Sequence, residues 1–219
     1  MSLLGINHLA FITNDMTKTI RFYRDLLHLP LTTGIGHDGY RHYFFQFPDK
    51  MTHVAFFEYE GAIDMKRKFP GKRTTEPLGF DHVAFTVDNR EDLFSLNDRL
   101  LAAGIDVHGA VDHGLFWSIY FYDPNNIPLE ASWQFMDLLQ TPAISDDDPM
   151  AIAAEGSGPQ TGIWPAVEQR TATADMVAHG GNGLPMRREF LDRGMAEFKD
   201  GVPEDMRRRM LAELEDTAA

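Results

Sequence analysis

GINHLAFIT, residues Gly5 to Thr13, returns later in the chain as GFDHVAFTV, residues Gly79 to Val87. His8 and His82 occupy the same slot of the two copies, 74 residues apart. Each segment alternates as a strand does, and in a strand residues two apart share a face. His8 therefore sits with Ile6, Ala10 and Ile12, and His82 with Phe80, Ala84 and Thr86. The opposite faces carry Leu9 and Phe11, or Val83, Phe85 and Val87, whose bulk predicts packing beneath helices. Small neighbours at Ala10 and Ala84 leave room beside the two imidazoles. A strand duplicated with its histidine in register places two ring nitrogens about a pseudo-twofold axis, a natural position for a metal ion.

The repeat extends past these strands. DMTKTIRFYRDLLHL follows the first, with Ile20, Phe22 or Tyr23, Leu26 and Leu27 at helical spacing. NREDLFSLNDRLLAAG follows the second, with Leu93, Phe94, Leu96, Leu100 and Leu101. Asp15 and Asp88 stand where a carboxylate caps free helix amides, and Gly104 where a glycine ends a helix. Strands are predicted at Tyr40 to Phe47 and His53 to Tyr59, then at Ile105 to Val107, Phe116 to Tyr122 and Ile127 to Ser132. FPDK and DPNN supply turns. The pattern is strand, helix and about three strands, given twice.

From about Met136 the character changes. Thr141 to Gly162 is rich in Asp, Pro, Gly and Ser and reads as an exposed linker. Arg187 to Asp216 reads as helical, broken at Gly201-Val202-Pro203, and its Arg187-Arg188 pair could meet an anionic substrate or the acidic linker. The expected organisation is a first module over 1–76, a second over 77–136, and a linker with helical extension over 137–219. The extension reads equally as a peripheral helix pair or as an arm docking on another subunit.

Composition narrows the partners. A formal net charge of −13 gives no basic surface for nucleic acid and repels an anionic membrane. The absence of cysteine removes disulfides, thiolate metal sites and cysteine nucleophiles. No signal peptide opens the chain and no apolar run has the length to span a bilayer, so the expected location is cytoplasmic.

Two imidazoles need a third ligand. Glu130 follows His82 by 48 residues, on the strand entered from the Asp123-Pro124-Asn125-Asn126 turn, and is flanked by Leu129 and Ala131. A carboxylate so placed needs a cationic partner; a salt bridge is the plain alternative, as carbonyl-bonded burial is for the histidines. Two histidines and one carboxylate with open positions form the facial arrangement of non-haem Fe(II) oxygenases. With a fourth protein oxygen the same scaffold suits Zn, Ni or Mn.

At these residues the sequence resembles the vicinal oxygen chelate superfamily, which includes glyoxalase I, bleomycin- and fosfomycin-resistance proteins and extradiol ring-cleaving dioxygenases. The resemblance covers roughly Leu3 to Trp133. It implies an α+β fold in which two paired βαβββ modules form an open, U-shaped mixed sheet around one metal, held by His8, His82 and Glu130. The stretch from His113 through Ile119, Tyr120, Asp123-Pro124 and Asn126 to Glu130 is similar to the extradiol signature, with Asn126 where Gly or Pro is usual. That similarity implies an extradiol-type dioxygenase, in which Fe(II), or Mn(II), binds a catecholic substrate and O2. Tyr120 would hydrogen-bond the substrate, His113 would orient it at the rim, and His53 would serve as acid or base. The alternatives are a glyoxalase-like lyase or isomerase with Glu58 as a fourth ligand, 50 residues after His8, and a non-catalytic small-molecule binder. His53 and Glu58 are five apart and point to opposite faces of a regular strand, which makes their orientation the discriminator. His37, Tyr40 and His42 read as an ordinary polar rim. A homodimer or higher homo-oligomer is expected, with the ligands drawn from one chain or two.

Overall fold

Residues that alternate between apolar and small or polar fold here into one βαβββ unit twice. The computed structural model describes residues 5–37, 40–73, 75, 80–146, 148–181 and 183–216. The boundary expected at 76/77, Gly79, Asp147 and the side chains of His37 and Tyr40 lie outside what is described. In the first module β1 (His8–Thr13) leads to α1 (Met16–Ile20), a π-helical turn (Arg21–Leu26), β2 (Leu31–His37), β3 (Tyr40–Gln46) and β4 (His53–Glu58). In the second, β5 (Val83–Thr86) leads to α2 (Arg90–Ala102), β6 (His108–Asp112), β7 (Phe116–Tyr122) and β8 (Pro128–Gln134). The two sheets run β1-β4-β3-β2 and β5-β8-β7-β6, each parallel at the first pair and antiparallel thereafter. The fold is α+β, and the two four-stranded sheets do not close on each other within the chain.

The ends of the helices follow the sequence with one change. Asp15 caps α1, accepting from the Lys18 amide at 3.0 Å. The cap of α2 is Asn89, accepting from Asp92 N at 2.8 Å, not Asp88. The strand expected at Ile105 to Val107 begins later, at His108. Gly104 takes a positive φ of 75° and Ile105 N bonds back to Leu100 O at 3.0 Å, so Ile105 still belongs to the turn that closes the helix. Strand β2 is hidden in the sequence by its glycines; the Tyr43 ring lies where a Cβ on Gly34 would stand.

One face of each sheet is covered. Val54 and Phe56 of β4 and Phe45 of β3 are fully buried, with the Tyr23 ring 4.8 Å from Phe56. Ile119, Phe121, Leu129 and Ala131 of the second sheet form one cluster with Leu93, Leu96 and Leu100 of α2. The two covered faces belong to a single core: Phe22 meets Phe121 at 6.4 Å.

A buried polar network locks that junction. Thr13 donates to Asn125 Oδ1 at 2.7 Å and its hydroxyl lies 2.9 Å from that of Thr19. Asp123 accepts from Tyr23 at 3.2 Å, from the Asn125 side chain at 3.0 Å and from the amides of Asn125 and Ile127 at 2.8 Å each. Asn126 sits at φ 62°, a conformation that asparagine tolerates. Its side chain donates to Met65 O at 3.0 Å and accepts from Arg67 at 2.8 Å. The DPNN turn therefore holds the first module and the inter-module connection to the second.

The chain divides into two compact units, 1–157 and 158–219. Between the second sheet and the boundary the chain is largely exposed, with one short 3₁₀ turn, Ala151–Glu155. In the second unit α3 (Leu184–Asp192) precedes α4 (Glu204–Asp216), with the expected break ahead of Glu204. Arg187 donates to Met210 O at 2.7 Å and so ties the two helices together.

Candidate metal centre

The face of the second sheet that α2 leaves open carries the polar groups. Ala84 pairs with Glu130 across β5 and β8, and Tyr120 pairs with Glu130 across β7 and β8, so all three project to one side. His82, two residues before Ala84, joins them: its Nε2 lies 2.7 Å from Glu130 Oε2. Glu130 is 3% exposed, and Ser132 donates to its other oxygen at 2.9 Å. The ring of His82 stands edge-on to that of Tyr120, centroids 6.0 Å apart, and the Tyr120 hydroxyl is 2.9 Å from His113 Nε2. Burial, and then the negative charge of Glu130, push the Tyr120 hydroxyl up to about 12, so it stays protonated at neutral pH as a hydrogen-bond donor.

Among the described residues, the open face of the first sheet carries the histidines and no carboxylate. His8 is opposite His53, Ala10 opposite Ala55, and Thr13 opposite Glu58. His53 therefore shares the face of His8, with the Phe44 ring 5.6 Å from His8 and 6.2 Å from His53. Glu58 shares the covered face with Val54 and Phe56. It accepts from the Met16 amide at 2.7 Å, capping α1, and pairs with Arg41. The position matching Glu130 in the first module is Ala55, the partner of Ala10, and the position matching Tyr120 is Phe44, the partner of Ala55. The near-equal spacing of Glu58 from His8 was a coincidence of loop length, and the fourth-ligand alternative fails with it. His42, expected on the rim, is 8% exposed and stacks on Phe57 with centroids 3.6 Å apart.

One chain thus unites His82, Glu130, Tyr120 and His113, and leaves His8 and His53 on the other sheet. Among the described residues, no three of His, Cys, Asp or Glu gather closely enough to hold a metal ion. The donors that do meet have the chemistry for one: a buried carboxylate and an imidazole nitrogen, 2.7 Å apart, are donor types that a borderline-soft divalent cation takes.

Sequence reasoning missed two neighbours. Asp81 accepts from His82 Nδ1 at 2.7 Å, and Asn7 accepts from His8 Nδ1 at 2.8 Å. The signal was present in the repeat, which reads Asn-His once and Asp-His once.

The family model described as Glyoxalase/Bleomycin resistance protein/Dioxygenase superfamily matches residues 5–131. A glyoxylase/bleomycin resistance protein/dioxygenase domain from Frankia is 25% identical with a TM-score of 0.51, covering 61% of this chain and 100% of its own. A glyoxalase/dioxygenase from Nostoc punctiforme is 21% identical with a TM-score of 0.47, covering 61% and 92%. A variant of the fosfomycin resistance protein of Listeria monocytogenes, solved with Mn(II) and 1S,2S-dihydroxypropylphosphonic acid, is 20% identical with a TM-score of 0.45, covering 62% and 96%. No described helix is long and apolar enough to cross a membrane.

Proposed function

The chain belongs to the glyoxalase, bleomycin resistance protein and dioxygenase superfamily, and from that premise we propose that it is a metal-dependent, extradiol-type dioxygenase of catecholic aromatics. Its cation, Fe(II) or Mn(II), is held by His82 and Glu130 of one copy and His8 of a second, in a homodimer.

Three observations support the composite site. The modules are fused through their covered faces, which leaves both histidine faces open. Strands β1 and β5, which carry or adjoin the histidines, are free edges of their sheets. Each chain offers one two-ligand half, His82 with Glu130, and one single-ligand half, His8 beside Ala55. Two copies about a twofold axis match these halves in both directions. Ile6 and Ile12 on the first face are exposed apolar side chains that such pairing would cover.

The observation that carries the chemistry is the Tyr120–His113 pair, 2.9 Å apart at the edge of the His82–Glu130 cluster. Bound there, the cation supplies open positions for two adjacent substrate oxygens and for O2. A Tyr120 hydroxyl that stays protonated donates a hydrogen bond to a substrate oxygen and orients the ring. His113 Nε2–H donates to the Tyr120 hydroxyl oxygen and so leaves its one hydrogen for the substrate. Across the cleft, His53 has Nδ1 3.3 Å from Asn7 O, which leaves Nε2 to take or return a substrate proton. Phe44 and Phe57 offer an apolar wall for an aromatic ring.

Purified protein reloaded with Fe(II) should consume one O2 per catechol opened, with a coloured product. No turnover on catechol and its 3- and 4-substituted derivatives, by protein whose metal content is verified, rejects this reading. Activity on a hemithioacetal without O2 would replace it with an isomerase.

A further inference from the structure

The two candidate ligand histidines are presented by the same device. In each repeat, the residue just before the histidine turns its side-chain oxygen back onto the ring: Asn7 Oδ1 lies 2.8 Å from His8 Nδ1, and Asp81 Oδ1 lies 2.7 Å from His82 Nδ1. An amide oxygen and a carboxylate oxygen only accept hydrogen bonds. Nδ1 therefore donates in both rings, which makes Nε2 the nitrogen presented to a cation. At His82, Nε2 meets the Glu130 carboxylate at hydrogen-bond distance, 2.7 Å, and a cation bound between the two would take the place of that N–H···O contact.

The two devices differ in charge. Asn7 is neutral. Asp81 is ionic and is itself held from two sides: Lys68 pairs with Oδ2, and the Gly71 amide donates to Oδ1 at 2.9 Å. Lys68 is fixed in turn by Tyr122, whose hydroxyl donates to Lys68 O at 2.9 Å. A carboxylate bonded to a ligand imidazole raises its basicity as well as its orientation. A neutral amide supplies orientation alone.

Resting on the composite site proposed above, we infer that Asn7 and Asp81 are positioning residues. With the cation bound, they hold the hydrogen on Nδ1 of His8 and His82 and so turn both Nε2 lone pairs to the metal. Asp81, braced by Lys68 and Gly71 from the inter-module connection, makes His82 the stronger donor and His8 the weaker, exchangeable one. The asymmetry resides in one side-chain group, so it is transferable. Asp81→Asn makes the second ligand resemble the first, and Asn7→Asp does the reverse.

The test uses the full-length protein, with Zn(II) as a diamagnetic probe and Mn(II) for affinity. In Zn(II)-loaded protein, two-bond ¹H–¹⁵N correlation spectra should give protonated Nδ1 and unprotonated Nε2 for both rings. Asp81→Asn should keep that pattern while weakening Mn(II) roughly ten- to hundredfold, the range for loss of an outer-shell carboxylate. Asn7→Asp should tighten Mn(II), and Asn7→Asp combined with Asp81→Asn should recover affinity relative to Asp81→Asn alone. Asp81→Leu, which abolishes the bond, should let the His82 tautomer change. Nε2–H on either ring of the loaded wild-type protein overturns the inference, as does Asp81→Asn with unchanged Mn(II) affinity. Failure of the dioxygenase reading is a separate result: the tautomers and affinities would stand as described while catechols go unreacted.

Discussion

Glu130→Ala is expected to abolish metal binding and turnover together. The carboxylate is 3% exposed, one oxygen faces His82 Nε2 and the other is held by Ser132. No neighbour replaces it. The matching position of the first module is Ala55, and Glu58 is committed to the α1 amide of Met16 and to Arg41 on the covered side. Loss of an outer-shell partner costs about ten- to hundredfold in metal affinity, and loss of a ligand should exceed that. Calorimetric titration with Mn(II) and O2 uptake with catechol should both fall to background. Glu58→Gln is the contrast: it should keep its metal affinity and lose at most about 1 kcal/mol of stability, because the amide oxygen still accepts from Met16 and only the partly exposed pair with Arg41 is lost. Equal metal loss in the two variants would return Glu58 to the coordination sphere and undo the assignment.

The second large effect is on stability. Asp123→Ala should cost several kcal/mol, on the order of 3–5, because a buried acceptor shared by neutral donors is lost. Four donors lose their acceptor at once: the Tyr23 hydroxyl, the Asn125 side chain and the amides of Asn125 and Ile127. Each buried donor left unpaired carries a penalty of about 1–3 kcal/mol, part of which water entering the new space recovers. The network joins the modules, so urea unfolding of the variant should also lose cooperativity between them. The same carboxyl gives a pH signature. Burial raises it above the ordinary carboxylate range, against the lowering effect of its hydrogen bonds. The folded state then holds its proton more tightly than the unfolded state. This group's contribution is therefore greatest below an unfolded value of about 3.9 and declines as pH rises through the raised native value, where it levels off. Asp123→Asn should remove that slope. A slope of opposite sign, with stability gained over that interval, contradicts the burial argument.

Much of this was legible in the sequence because the information was periodic. The repeat at His8 and His82 fixes both modules, their strand parity and which face each helix covers. Glu130 was found because a carboxylate between Leu129 and Ala131 on a strand must be buried, and it is. What the sequence hid were features without periodicity. Gly34 and Gly36 carry no side-chain pattern, so β2 was not delimited. Ile105 looks like strand, yet its amide closes the Leu100 turn. Glu58 looked equivalent to Glu130 on spacing, and only the pairing register, with Ala10 opposite Ala55, separates them. The DPNN turn read as part of a catalytic signature; its Asp123, Asn125 and Asn126 are occupied in joining the modules. Whether the three proposed ligands meet within one chain depends on how the sheets associate, and strand patterns carry no record of that.

The central claim is that His8 of one copy completes the His82–Glu130 pair of another. The most direct test mixes two variants, His8→Ala and Glu130→Ala, under conditions of verified subunit exchange. Each alone should be inactive and metal-poor. In a mixed dimer, one site loses both residues and the other keeps all three ligands, so random exchange should restore about a quarter of the sites and of the turnover. Verified exchange with no recovery, or His8→Ala binding Mn(II) like the wild type, contradicts it.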